Sequence, residues 1–115
     1  MRRGEIRLVD PVPVRGAEVS KRRRAVIVSN DGANLTALRL GRGVVTVVPV
    51  TSNTANVYPF QVFLDATGTG LEHDSKAQAE QVRSVDVERI GARIGTLAHE
   101  QLVKLDEALR LHLAL

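Results

Sequence analysis

Residues 44–50, Val44-Val45-Thr46-Val47-Val48-Pro49-Val50, are apolar at both odd and even positions. Successive side chains of a strand point to opposite faces, so such a run is stable only where both faces are covered, at the centre of a sheet. Other short Val/Ile-rich runs surround it. Residues 5–10 read as a strand stopped by Pro11 and Pro13, and residues 24–29 as a second strand. Residues 61–64 form a fourth, residues 76–85 carry one or two more, and residues 90–95 a last short one. Thr67-Gly68-Thr69-Gly70 reads as a turn or mobile loop. Six or so short strands divided by turn signals predict a mainly β, small barrel or open sheet. Two helices complete it. Ser29 or Asn30 can cap a short helix through Leu38, and Thr96 a terminal one whose Ala98, Leu102, Leu105, Leu109 and Leu113 recur at steps of three and four.

The 115 residues suit one domain, residues 1–115, whose core must be aliphatic: there is no cysteine, no tryptophan, and only one Tyr and two Phe. No apolar run approaches the roughly 18 residues of a membrane span, and Met1-Arg2-Arg3 leads into Gly4-Glu5 instead of an apolar segment, so a cytoplasmic protein without a membrane partner is expected. Residues 1–45 hold ten Lys/Arg against four Asp/Glu, a net of +6, whereas residues 46–115 hold six against nine, a net of −3. Thirteen of the sixteen cations are arginine, the side chain suited to phosphate and carboxylate. A polyanionic partner fits this asymmetry, as does a solvated basic face. The chain has no GxxxxGK[ST], GxGxxG or HExxH, and His73, His99 and His112 are scattered, so an activity without cofactor, metal or histidine is expected.

Four segments in order carry a further pattern. They are Arg3-Gly4-Glu5-Ile6 with Leu8-Val9-Asp10; Arg15-Gly16-Ala17-Glu18 leading to Arg23 and Ala25-Val26-Ile27-Val28-Ser29-Asn30; Val47-Val48-Pro49-Val50-Thr51-Ser52; and Ala79-Glu80-Gln81-Val82-Arg83-Ser84-Val85-Asp86. Together they resemble the MazF family of toxin endoribonucleases from type II toxin–antitoxin modules, over essentially the whole chain. The resemblance implies an SH3-like barrel of the plasmid-maintenance-toxin type, α+β with a short helix after strand 2 and a C-terminal helix. It also implies a homodimer, sequence-selective and metal-independent cleavage of single-stranded RNA, and an antitoxin whose acidic C-terminal tail covers the RNA groove. The family's catalytic arginine and threonine fall on Arg23 and Thr51.

Residue chemistry agrees with that assignment. Metal-free cleavage can use the RNA's own 2′-hydroxyl, leaving a 2′,3′-cyclic phosphate and a 5′-hydroxyl. Arginine is a poor base near neutrality, but its forked donors can hold phosphate oxygens as their charge grows. Thr51 can bond the scissile phosphate or the 2′-oxygen. Glu18 can orient the guanidinium or act as the base. Arg15, Arg22 and Arg24 are candidate phosphate contacts, and Ser52, Asn53 and Gln81 candidates for base edges. Tyr58 and Phe60 are candidates for base stacking, with Phe63 expected in the core.

Two positions depart from the family pattern. Arg24 stands where proline is usual, which makes it a rival to Arg23 for the catalytic role, and Arg7 stands where an aromatic, most often tryptophan, is usual. Alternation puts Arg23 on one face with Ala25 and Ile27, and Arg22 and Arg24 on the other. A non-enzymatic toxin of the same fold that binds a protein target such as a topoisomerase, or an RNA-binding module that has lost activity, would not need the Arg23 and Thr51 pair.

Overall fold

The computed structural model describes residues 1–10 and 22–115. The loop expected at residues 11–21, with the candidates Arg15 and Glu18, lies outside the described residues. The described strands are β1 (Glu5–Val9), β2 (Arg23–Ile27), β3 (Val44–Thr51), β4 (Gln61–Leu64), β5 (Ser75–Gln78), β6 (Arg83–Asp86) and β7 (Ile90–Thr96). Helix α1 (Asp31–Leu40) follows β2, and helix α2 (His99–Leu113) follows β7. All strand pairs are antiparallel, in the order β4-β5-β3-β2-β1-β7, with β6 added on β3. The expected barrel is therefore an open one, because β4 and β7 end the strand order and do not pair with each other. No helix among the described residues is long and apolar enough to cross a membrane.

The central strand is apolar on both faces because each face has its own core. Val48 packs with Ile6, Val26, Leu64 and the α2 residues Leu105 and Leu109. Val45 and Val47 pack with Val9, Ala25, Ile27, Val85 and Ala37 of α1. Each such side chain removed from water contributes roughly 1.5–3 kcal/mol. β3 also serves three neighbours: Val44–Val47 pair with β6, Val47–Pro49 with β2, and Val50 and Thr51 with β5.

Local chemistry fixes the helices to this sheet. Asn30 caps α1, its side-chain oxygen accepting from the Ala33 N–H at 2.8 Å. Gly41, with φ +66°, closes the helix in the left-handed conformation. Ser29, the other cap candidate, instead bolts helix to strand. Its hydroxyl donates to Oδ1 of fully buried Asn34 and accepts from the Thr46 N–H, while Asn34 Nδ2 donates to the Ser29 carbonyl at 2.9 Å.

The terminal helix begins later than Thr96 suggests, since Thr96 is consumed by β7. Ala98 is the N-cap, and its N–H donates to the Gln101 side chain at 2.9 Å. The buried stripe comprises Leu105, Ala108 and Leu109 with Leu102 partly covered, whereas Ala98 and Leu113 are exposed. Phe63 also corrects its expectation: it is 47% exposed, because on edge strand β4 the alternate residues Val62 and Leu64 face inward.

The Arg3-Gly4-Glu5 motif is structural. Arg3 donates through its N–H to Asp31 (2.6 Å), through Nε to the Val28 carbonyl (2.7 Å) and through a terminal nitrogen to Asp106 (2.6 Å), tying α1, the end of β2 and α2 together. Gly4 has φ +96°, donates to the Ile27 carbonyl and accepts from the Leu97 N–H. Glu5 is buried beside Arg7, whose guanidinium donates to Glu5 Oε1 at 2.8 and 3.0 Å and to the Gly91 carbonyl at 3.0 Å. Burial pushes the Glu5 carboxyl up. The Arg7 hydrogen bonds and charge, the backbone N–H bonding and the N-terminal charge outweigh it and hold the carboxyl below its ordinary value.

The Thr67–Gly70 segment is a packed turn. Thr69 is buried, its hydroxyl donating to the Asp65 carbonyl at 2.8 Å, and the turn crosses β7 backbone on backbone. A Cβ on Gly95 would lie 1.7 Å from the Thr69 carbonyl oxygen, and one on Gly70 2.3 Å from that of Ile94.

Two stability predictions follow from these contacts. Gly95→Ala is expected to destabilise the fold by about 3 kcal/mol or more in denaturant titration, while Gly68→Ala, whose Cβ meets nothing within 4 Å but whose φ is +82°, loses only about 1–2 kcal/mol. Arg7→Met strands a buried carboxylate and is expected to lose about 3 kcal/mol near neutral pH. A depressed folded-state pKa stabilises above the unfolded value and is lost as pH falls through the folded one. The melting-temperature gap between Arg7→Met and the unmutated chain should therefore narrow as pH drops below the ordinary value of 4.5.

Candidate functional site

The β2–β3 register pairs Ala25 with Pro49, Val26 with Val48 and Ile27 with Val47. Beyond the last pair of this ladder, Arg23 stands two residues before Ala25 on β2 and Thr51 two residues after Pro49 on β3. There β3 passes to its other neighbour, and Thr51 pairs with Lys76 of β5. Arg23 lies opposite Val9 of β1, and Arg24 opposite Leu8.

A cleft of about 220 Å³ opens beside these strand ends, lined by Arg22, Arg23, Arg24, Val50, Thr51, Ser52, Leu71, Glu72, His73 and Ser75. Arg22 and Arg23 are exposed and Arg24 half-buried. Arg22 pairs with Asp10 at 2.8 Å, a solvated contact worth little to stability. The Thr51 oxygen accepts from the Asn53 N–H at 3.2 Å, a strand-end turn that leaves the hydroxyl proton available for donation. A second concavity shares Arg23 and Arg24 and has an apolar floor of Ala25, Val47, Pro49 and Val85, with Arg83 at its rim.

Asn53 is exposed and holds the Ala55 N–H at 3.2 Å. Tyr58 and Phe60 stack on one another, centroids 5.5 Å apart and planes 7° from parallel, and Tyr58 keeps its outer surface exposed. Lys76 anchors this segment: its buried ammonium donates to the Asn56 carbonyl at 2.5 Å and lies 5.9 Å from the Tyr58 ring centroid. Gln61 accepts from the Tyr58 N–H and donates to Glu80 at 2.7 Å; the other Glu80 oxygen is buried without a hydrogen-bond partner. Gln81 is exposed on the 3-10 turn Ala79–Gln81 and is not among the residues lining the cleft, because this turn lies beyond the far end of β5.

The structure adds His73, Glu72 and Arg83, which sequence reading did not single out as site residues. His73 is distant from Arg23 and Thr51 along the chain and arrives through the β3–β5 pairing. Arg83 arrives through the β3–β6 pairing, opposite Val47. Only Arg83 had a sequence signal, its place in the Glu80-Gln81-Val82-Arg83 segment. Among the described residues no three His, Cys, Asp or Glu side chains cluster as metal ligands would.

The chain is similar over its whole length to known proteins. The model for PemK-like, MazF-like toxins of type II toxin–antitoxin systems matches residues 2–113. The endoribonuclease MazF9 of Mycobacterium tuberculosis is 64% identical over 115 residues, covering 100% of this chain and 98% of that protein. The endoribonuclease EndoA of Bacillus subtilis is 32% identical over 115 residues, covering 100% and 96%. The fold agrees with a mycobacterial endoribonuclease solved with its cognate antitoxin, at a TM-score of 0.78 and 20% identity over 100% of this chain and 96% of that one. With the register and the four motif segments in place, the chain belongs to the PemK-like, MazF-like family of type II toxins.

Proposed function

We propose that this toxin is a metal-independent endoribonuclease that cuts single-stranded RNA at preferred sequences and so inhibits translation and growth. The observation that carries this reading is that Arg23 and Thr51 line one cleft together with Arg22 and Arg24. The RNA 2′-oxygen attacks the adjacent phosphorus, the bond to the 5′-oxygen breaks, and a 2′,3′-cyclic phosphate and a 5′-hydroxyl result. Arg23 neutralises the charge growing on the phosphorane, where oriented donors act most strongly. Thr51 bonds a phosphate oxygen or the 2′-oxygen. Glu18 orients Arg23 or takes a proton.

RNA flanking the cut lies along Arg15, Arg22 and Arg24, with Ser52 and Asn53 reading base edges and the Tyr58 and Phe60 stack accepting a base face. Gln81 contributes from a more distant surface. The protein acts as a homodimer and is silenced by an antitoxin whose acidic tail meets Arg22, Arg23 and Arg24. The relative solved with its cognate antitoxin supports that partnership.

The test is purified protein with a long unstructured RNA in EDTA. Arg23→Ala and Thr51→Ala are each expected to lower kcat by about 10²–10³-fold with melting temperature unchanged. Uncut RNA from the unmutated protein would overturn the enzyme reading, and full activity in both variants the site. Arg22→Ala and Arg24→Ala are expected to weaken binding to all RNAs alike. Each should reduce the slope of log K against log salt by about 0.7, the value for one phosphate contact on a single strand.

A further inference from the structure

The proposed reaction needs a group that takes the 2′-hydroxyl proton, a role for which Glu18 is one candidate. Arginine and threonine hold and donate, but neither takes up a proton near neutral pH. Among the described residues that line the cleft with Arg23 and Thr51 there is one histidine, the exposed His73. Its position follows from strand pairing. Val50 pairs with Ala77 and Thr51 with Lys76, so the same register carries Ser52 to Ser75, with His73 two residues further at the cleft mouth. The segment is held in shape, since the Ser75 hydroxyl donates to the His73 carbonyl at 2.9 Å. Among the described residues, the charged side chains lining the cleft are Arg22, Arg23 and Arg24 from the β2 side and Glu72 from the His73 segment; Asp74 adjoins His73 and accepts from the Ala66 N–H, Lys76 is paired with Thr51, and Asp10 is engaged by Arg22.

We infer that His73 is the general base of RNA cleavage in this chain, an inference that rests on the endoribonuclease reading above. A lone pair of its neutral ring takes the 2′-hydroxyl proton. The freed oxygen pair forms the bond to phosphorus, and the phosphorus–O5′ bond breaks with its electrons passing to the 5′-oxygen. That oxygen takes a proton from a solvent water, and the hydroxide left behind recovers the proton from His73. No proton, water or electron is consumed overall. Imidazole suits the task because its unprotonated ring nitrogen can accept a proton and return it within one turnover.

The experiment measures cleavage of a defined single-site RNA in EDTA from pH 5 to 9, with the unmutated protein, His73→Gln, His73→Ala, Glu72→Gln and Glu18→Gln. The unmutated protein is expected to show log(kcat/KM) rising with unit slope at the acid end and levelling to a plateau once the base has lost its proton. His73→Gln is expected to lose about 10²–10⁴-fold on the plateau and to lose that limb, with RNA binding and melting temperature retained. Free imidazole should restore part of the His73→Ala activity, which a contact serving only affinity would not allow. A His73→Gln enzyme with an unchanged limb, or a limb removed by Glu18→Gln or Glu72→Gln instead, overturns the inference while leaving the endoribonuclease reading intact. An unmutated protein that cuts no RNA at any pH overturns both.

Discussion

The double burial of β3 is the constraint on which the rest of this structure depends. Val45 and Val47 face one core and Val48 the other, so no one-residue slip of this strand can satisfy both. A slip would turn partly solvated Thr46 toward the interior and force Val47 across to the opposite core. With β3 pinned, its three partners are pinned as well, and with them the place where the strand ends. Thr51 is the last residue of that strand. The candidate cleft stands at the margin of this doubly buried strand.

Around this strand, the polar contacts act as locks. Asn34 and Ser29 fasten α1 to β3 from one side, and Arg3 fastens α2 to the β2 end and the start of α1. The Thr69–Gly70 turn presses on Ile94 and Gly95 so closely that no side chain fits between the backbones. That turn leads into Leu71, Glu72 and His73, which line the cleft. The close crossing therefore sets where this wall of the cleft stands, although none of its glycines faces the site.

The two departures from the family pattern have different consequences. Arg7 does not leave a hole where a ring would be. It forms a charge pair with buried Glu5 and a bond to the Gly91 carbonyl, a polar contact between β1 and β7. Arg24 leaves β2 intact: it pairs with Leu8, and Arg23 beside it pairs with Val9. Three consecutive arginines then present charge on both faces of the strand end, which explains why both Arg23 and Arg24 border two concavities.

Much of this was legible in the chain. The two-sided valine run identified the central strand, Asn30 marked the start of α1, and the leucine spacing marked α2, because burial and capping leave periodic, local signatures. Thr96 misled as a cap because a strand-end threonine and a helix cap look alike until β7 claims the residue. Phe63 misled because hydrophobicity does not say that a strand is an edge. Arg23 and Thr51 stand out in the sequence only through their motifs. That they border a common cleft with His73 and Glu72, and that Arg83 shares a concavity with Arg23, depends on pairings between segments far apart in the chain. Sequence alone determined which elements form and which residues carry charge, since those follow from near neighbours. Only the tertiary structure decided which charges share a cleft, because strand register is set by packing the whole sheet at once.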